Sequence, residues 1–277
     1  MRKIVICLLL AFTISFDLLA LSAQAAAPVT GTFAGISDYT YCSHEDRMGA
    51  KYVQNLNDGL ITLDAAGYID YSLLPGGMYK DSAVNIDTCL GIQRATLYAY
   101  SGHGLIYDTL NNSLHMNDQI GTFQTYHSYL PNGDKSIYVN KRTQDIAFNH
   151  KYVILYTCNQ LTNSGSTTKA NKIMEMLNGT RLLMGFASTM YLDSREGTNF
   201  TQQLRKYSIK DAFFASASIF QTQRDSGDAI ARVIGYKPAK DDSIQSAYAY
   251  APVAKNSMSS FGIIETRTIQ HKGVLIP

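Results

Sequence analysis

Ala95-Thr-Leu-Tyr-Ala-Tyr-Ser-Gly-His103-Gly104 and Lys151-Tyr-Val-Ile-Leu-Tyr-Thr-Cys158-Asn159 decide how this chain is read. Both runs are short, rich in β-branched and aromatic residues, and apolar without clean alternation. That is the pattern of strands buried on both faces of a parallel sheet. Each ends in a chemically pointed residue, and ligands of parallel sheets bind at the carboxyl ends of the strands. The chain between the runs is long enough for a right-handed crossover. An imidazole at His103 and a thiol at Cys158 are therefore expected at one edge of one sheet, as a cysteine-histidine dyad.

Outward from these runs, the pattern is that of an α/β protein. Val29 to Ile36 reads as a first strand, and Glu45 to Leu56 as a helix. Gly59 to Asp70 reads as short strands or an irregular connection. The polar, aromatic stretch from Asn111 to Asn140, with Pro131-Asn-Gly-Asp134 as a turn signal, predicts a hairpin. After the Cys158 strand, Lys169 to Leu177 has helical periodicity and stops at Asn178-Gly179. Arg181 to Ala187 reads as a third buried strand. A helix carrying Phe200 and Leu204 follows, then a second over Ser208 to Phe214. The surroundings of Asp225-Ser-Gly227 look helical, and Ala247 to Ala251 and Ser260 to Thr268 read as edge strands.

The amino terminus has Arg2 and Lys3, an apolar stretch from Ile4 to Leu21, and Ala23-Gln-Ala25, a small-x-small site. This is the pattern of a cleaved signal peptide over residues 1–25, and it predicts a secreted or periplasmic protein. Its removal leaves residues 26–277, roughly 250 residues, enough for a single domain. The net charge of +2 gives no footprint for nucleic acid. No further stretch is apolar for long enough to span a bilayer, so no membrane association is expected after cleavage. With 45% hydrophobic residues, the composition is that of a globular chain rather than a disordered one. Beyond the leader the chain has three cysteines, Cys42, Cys89 and Cys158. Cys42 and Cys89 are candidates for a disulfide in an oxidising compartment; a bridge and two separate thiols both fit the sequence.

A thiol becomes a strong nucleophile when a nearby base takes its proton. His103, between Gly102 and Gly104, is the candidate base. The amides of Gly104 and Cys158 are the candidate oxyanion hole. Asp108, Asp193 and Glu196 are read as loop carboxylates at the same edge, either simply solvated or lining a pocket, where an acidic group would favour Arg or Lys in the substrate. Zinc and calcium signatures fail: His44-Glu45 has no second histidine in helical spacing, and Asp64 to Asp70 lacks the terminal glutamate of a calcium loop. No Gly-x-Ser-x-Gly elbow or phosphate-binding loop occurs.

A strand ending in His-Gly, followed by a strand ending in Cys, resembles the caspase-hemoglobinase fold of clan CD cysteine peptidases, which include caspases, legumain, clostripain and gingipains. Leu182 to Tyr191 and Ser208 to Phe214 look most like a group of bacterial caspase-like proteins. The resemblance covers roughly residues 90–220. It implies a three-layer α/β sandwich with a mostly parallel central sheet and helices on both faces. It also implies peptide-bond hydrolysis through a thioester, with Cys158 as nucleophile, His103 as general base or acid, Gly104 as oxyanion donor, no cofactor, and a protein or peptide substrate. The rival reading keeps the fold and drops the chemistry, leaving a secreted binding module with a vestigial dyad.

Overall fold

A computed structural model describes residues 29–38, 43–71, 77–80, 95–101, 103–104, 119–124, 136–140, 150–158, 161, 179–191, 193–223, 227–253 and 259–272. The leader, Cys42, Cys89, Asp108 and the Lys169–Leu177 helix expectation lie outside them.

The strands are β1 (Gly31–Asp38), β2 (Gly77–Lys80), β3 (Leu97–Ser101), β4 (His103–Gly104), β5 (Gln119–Gln124), β6 (Ser136–Asn140), β7 (Tyr152–Tyr156), β8 (Leu182–Phe186), β9 (Ala229–Tyr236) and β10 (Phe261–Ile269). The helices are α1 (Ser43–Ala65), α2 (Glu196–Leu204) and α3 (Ile209–Phe220). Seven strands form one sheet in the order β10-β9-β8-β7-β3-β1-β2. From β2 to β8 every pairing is parallel, and β9 and β10 close one edge as an antiparallel ribbon. β4, β5 and β6 form a separate antiparallel sheet, with β5 and β6 as the expected hairpin. The mostly parallel α/β architecture expected from the sequence is the one the chain has.

Every residue of β3, β7 and β8 is buried, which is why these strands read as unbroken apolar runs. Alternate residues share a face. Leu97, Ile154, Met184 and Ala231 face a layer made by α1, α2 and α3, where Tyr52, Leu56, Phe200, Phe213 and Phe214 complete the core. Tyr98, Tyr100, Val153, Leu155 and Leu183, on the opposite face, are also at most 2% exposed. Both faces are therefore covered, as a three-layer arrangement requires, and the three described helices all pack on the first. Among the described residues no helix is long and apolar enough to cross a membrane.

The structure corrects four expectations. Residues 59–65, expected as strands or irregular chain, continue α1. Gly59 weakens a helix reading because glycine is a poor helix former, but it serves a close crossing: a Cβ there would stand 2.8 Å from Thr201 Oγ1, and one on Gly197 would stand 2.8 Å from Leu56. α1 ends after this crossing in a Schellman turn. Gly67 takes φ 74°, Tyr68 N–H donates to Leu63 O, and Gly67 N–H donates to Asp64 O. α3 runs on past Phe214 to Phe220, because Ala217 and Phe220 extend its buried stripe. The stretch after Gly227 is strand β9 rather than helix; its small Ala229 and Ala231 fit beneath the helical layer. Ala247 to Ala251 is a turn region, held by Ala247 N–H to Ile244 O, Ala249 N–H to Ser246 O, and a Ser246–Tyr250 hydroxyl bond. Such local hydrogen bonds compete with strand pairing.

The amino-terminal end of the sheet is pinned by one buried ion pair. Arg181 donates from Nε and Nη2 to the two carboxylate oxygens of Asp242, which also accepts from Tyr152 Oη at 2.7 Å. The guanidinium lies 4.7 Å from the Tyr250 ring centroid and donates from Nη1 to Ala251 O. Gly235, φ 148°, passes so close to the Arg181 carbonyl that a Cβ would collide with it. Breaking such a pair from one side leaves an uncompensated buried charge. Asp242→Leu is expected to cost about 3–5 kcal/mol in urea unfolding, and the double variant Arg181→Met, Asp242→Leu to cost less than the single one.

Candidate active site

β3 and β7 are hydrogen-bonded neighbours, in register from Leu97 opposite Tyr152 to Ser101 opposite Tyr156. His103 and Cys158 each follow the last of these pairs by two residues. Neighbouring strands lie about 4.8 Å apart, so the two chains leave the sheet side by side at the same edge. They then diverge. His103 and Gly104 form β4, which joins the smaller sheet opposite Gln124 and Phe123. Cys158 sits in a turn directly after β7.

Cys158 is half-buried and packs against the core on the helical side of the sheet. Its sulfur meets the backbone of Met190, in the loop that follows β8. Met190 N–H donates to Sγ at 3.4 Å, and Sγ–H reaches Met190 O at 3.9 Å. The next residue, Tyr191, is gripped by the fully buried side chain of Gln221. Tyr191 N–H donates to Gln221 Oε1 at 2.7 Å, and Gln221 Nε2 donates to Tyr191 O at 2.9 Å. Gln221 Nε2 also donates to Glu196 Oε2 at 2.7 Å. Beyond Cys158 the chain is tied back to the sheet: Leu161 N–H donates to Phe186 O, and Leu161 O accepts from Arg232 Nη1 at 2.7 Å.

Of the three acidic residues expected in loops, Asp108 lies outside the described residues, and Asp193 is in a loop but bends onto Arg195. It accepts from Arg195 N, Nε and Nη2. Burial pushes its carboxyl up, but these hydrogen bonds prevail and hold it below its usual value. Glu196 departs from the expectation: it opens α2 and is completely buried. Burial is the main reason its pKa rises from 4.5 to about 8; the Asp193 charge adds to the rise, and hydrogen bonds from Gln221 and Tyr52 oppose it. Its Oε1 is buried without a hydrogen-bond partner among the described residues. Tyr52 and Tyr156, beside it, are likewise pushed well above the ordinary phenol value by burial. At neutral pH the Asp193 charge is engaged by Arg195 and Glu196 keeps its proton, so neither offers free negative charge to a basic substrate group.

Sequence reasoning missed Gln221 and the Met190 backbone. A signal for Gln221 exists: Phe214, Ala217 and Gln221 fall on one helical stripe, and a polar residue on a buried stripe marks a partner waiting inside. A backbone contact such as that of Met190 leaves no such mark.

The buried acid makes stability depend on pH. Between about 4.5 and 8 the folded chain keeps a proton on Glu196 that the unfolded chain has lost. The native state binds more protons there, so this contribution is fully present below about 4.5 and declines as pH rises to about 8. Glu196→Gln removes it. In urea titrations across this range, the stability of the variant is expected to gain on the wild type as pH rises and to exceed it above pH 8, by on the order of a few kcal/mol. Parallel pH profiles for the two proteins would overturn the assignment.

The chain is similar in structure to a secreted C11 cysteine protease from Bacteroides thetaiotaomicron in complex with an irreversible peptide inhibitor. The identity is 13%, the TM-score 0.44, and the coverage 76% of this chain and 66% of that one. It is also similar to the structure of a secreted C11 cysteine protease from the same organism named iotapain, at 12% identity and TM-score 0.40, covering 76% and 67%. The chain thus spans about two thirds of the length of these structures. None of the curated proteins matches it. One family model, described as a domain of unknown function, DUF6345, matches residues 93–260. That match takes in β3 to β9 and both halves of the candidate dyad, and the chain belongs to this family.

Proposed function

We propose that the protein is a secreted or periplasmic caspase-like cysteine peptidase acting on protein or peptide substrates. The observation that carries this reading is the β3–β7 register, which brings the ends of the His-Gly and Cys strands to the same level of one sheet edge. The order of the two motifs in the sequence agrees with it.

In this reading His103 takes the proton of the Cys158 thiol, and the sulfur attacks the carbonyl carbon of the scissile peptide bond. The developing oxyanion accepts hydrogen bonds from the amides of Gly104 and Cys158. The tetrahedral intermediate collapses with cleavage of the C–N bond, and His103 returns the proton to the leaving amine. Water, deprotonated by His103, then attacks the thioester, releasing the carboxylic acid and restoring the thiol. Each step is a proton transfer or an acyl transfer, so no redox partner and no cofactor is required.

Two measurements on the purified protein test this. Against a mixed peptide substrate, Cys158→Ala and His103→Ala are each expected to lower turnover by a factor on the order of a thousand or more, with the fold unchanged. With limiting iodoacetamide across roughly pH 5 to 9, wild-type Cys158 is expected to label rapidly at low pH and His103→Ala slowly. Labelling that follows an ordinary thiol titration in both proteins, with no turnover, would leave a caspase-fold binding module instead.

A further inference from the structure

We infer that Gln221 is a positioning residue for Cys158: by holding the N–H and the carbonyl of Tyr191 at once, it fixes the adjoining Met190 backbone against the thiol sulfur. This inference rests on the reading of Cys158 as the nucleophile. The connection is continuous. Glu196 Oε2 accepts from Gln221 Nε2, the Gln221 amide makes both hydrogen bonds to Tyr191, and Met190 N–H points at Cys158 Sγ.

The orientation of the amide is fixed by its partners. Tyr191 N–H requires an acceptor, so Oε1 faces it, and Nε2 must serve both Tyr191 O and Glu196. A buried primary amide satisfied on both ends holds its partners in one geometry, because any rotation leaves buried polar groups unpaired. The Met190 N–H bond stabilises the charged form of the sulfur and so favours the thiolate. Loosening Tyr191 withdraws that donor. Glu196, completely buried, in turn supports Gln221 from the far side.

The test is iodoacetamide labelling of Cys158 against pH in the purified protein, read by mass spectrometry, with far-UV circular dichroism as the check on folding. Gln221→Met fills the same volume without hydrogen bonds. It is expected to raise the labelling midpoint by about one pH unit and to slow labelling below the midpoint about tenfold. Glu196→Gln keeps an acceptor for Gln221 and is expected to retain the wild-type midpoint. If Gln221→Met does not fold, Gln221→Asn takes its place, because its shorter side chain cannot span Tyr191 and Glu196; the same rise is expected. A folded Gln221 variant with the wild-type midpoint overturns the inference. So does a Glu196→Gln midpoint displaced as far as that of Gln221→Met, since the thiol would then be responding to general loosening. A shifted Gln221→Met profile with labelling unaffected by His103→Ala would sink the peptidase reading and leave the positioning role standing, and the reverse pattern would sink only the positioning role.

Discussion

The parallel pairing of β3 with β7 is the constraint from which the rest of the molecule follows. Side chains along a strand alternate between faces, so a slip of one residue would turn Tyr152, Ile154 and Tyr156 away from the helical layer and carry Cys158 one residue, about 3.3 Å, past its neighbour. Both faces of these strands are buried, and neither can accept the other's side chains. The amino-terminal end of the pair adds a specific lock. His150 is fully buried, receives the Ala95 N–H on Nδ1 at 2.9 Å, and stacks on Tyr98 with ring centroids 4.5 Å apart. Tyr152 N–H then donates to Thr96 O as the ladder begins.

Two buried acids show how the same problem of charge has opposite solutions at the two ends of the sheet. Asp242 lies at the amino-terminal end against a guanidinium that meets both its oxygens, with a tyrosine hydroxyl as a third donor. Coulomb attraction and hydrogen bonding there oppose the cost of desolvation. Glu196 lies toward the carboxyl-terminal end with an amide and a phenol as partners. The cation nearest in sequence, Arg195, is turned outward onto Asp193 and the Phe220 ring, its side chain 65% exposed. With no positive charge to meet it among the described residues, desolvation prevails and raises the pKa of the carboxyl to about 8. The rigid anchor is therefore ionic at one end and neutral near the candidate site.

What could be read from the sequence follows the same division. β3, β7 and β8 were legible because burial on both faces erases alternation and leaves unmistakable apolar runs. Their ends mark the sheet edge, and the sequence singles out His103 and Cys158 as candidates because each follows directly on such an end. The second half of α1 was hidden by Gly59, whose low helix propensity is outweighed by the crossing with α2 that only a glycine allows. β9 was hidden because its alanines resemble a helix in composition, and their small size matters only once the overlying helices are known. The Glu196–Gln221–Tyr191 contacts were hidden for a further reason: they join three separate elements, two of the links are to backbone, and none is encoded in local spacing.

The two walls of the candidate site are accordingly built in different ways. On the Cys158 side, period-two alternation puts Tyr156 and Cys158 toward the helical layer, where Tyr52, Met190 and Phe200 pack in the same cluster. A strand end, a loop and two helices are joined there by buried and partly buried hydrogen bonds, so the sulfur lies against groups that are themselves tied down. On the other side, the chain leaves the central sheet at Ser101, and His103 and Gly104 open a small antiparallel sheet of their own. A nucleophile gains most from being fixed in advance, since any misplacement of the attacking atom is paid for in every turnover. A base that must serve first the thiol, then the leaving amine and then water gains from sitting on an element not fastened to the same core. If Cys158 is the nucleophile and His103 the base, as proposed, the separation of β4 from the sheet that ends at Cys158 would supply that asymmetry.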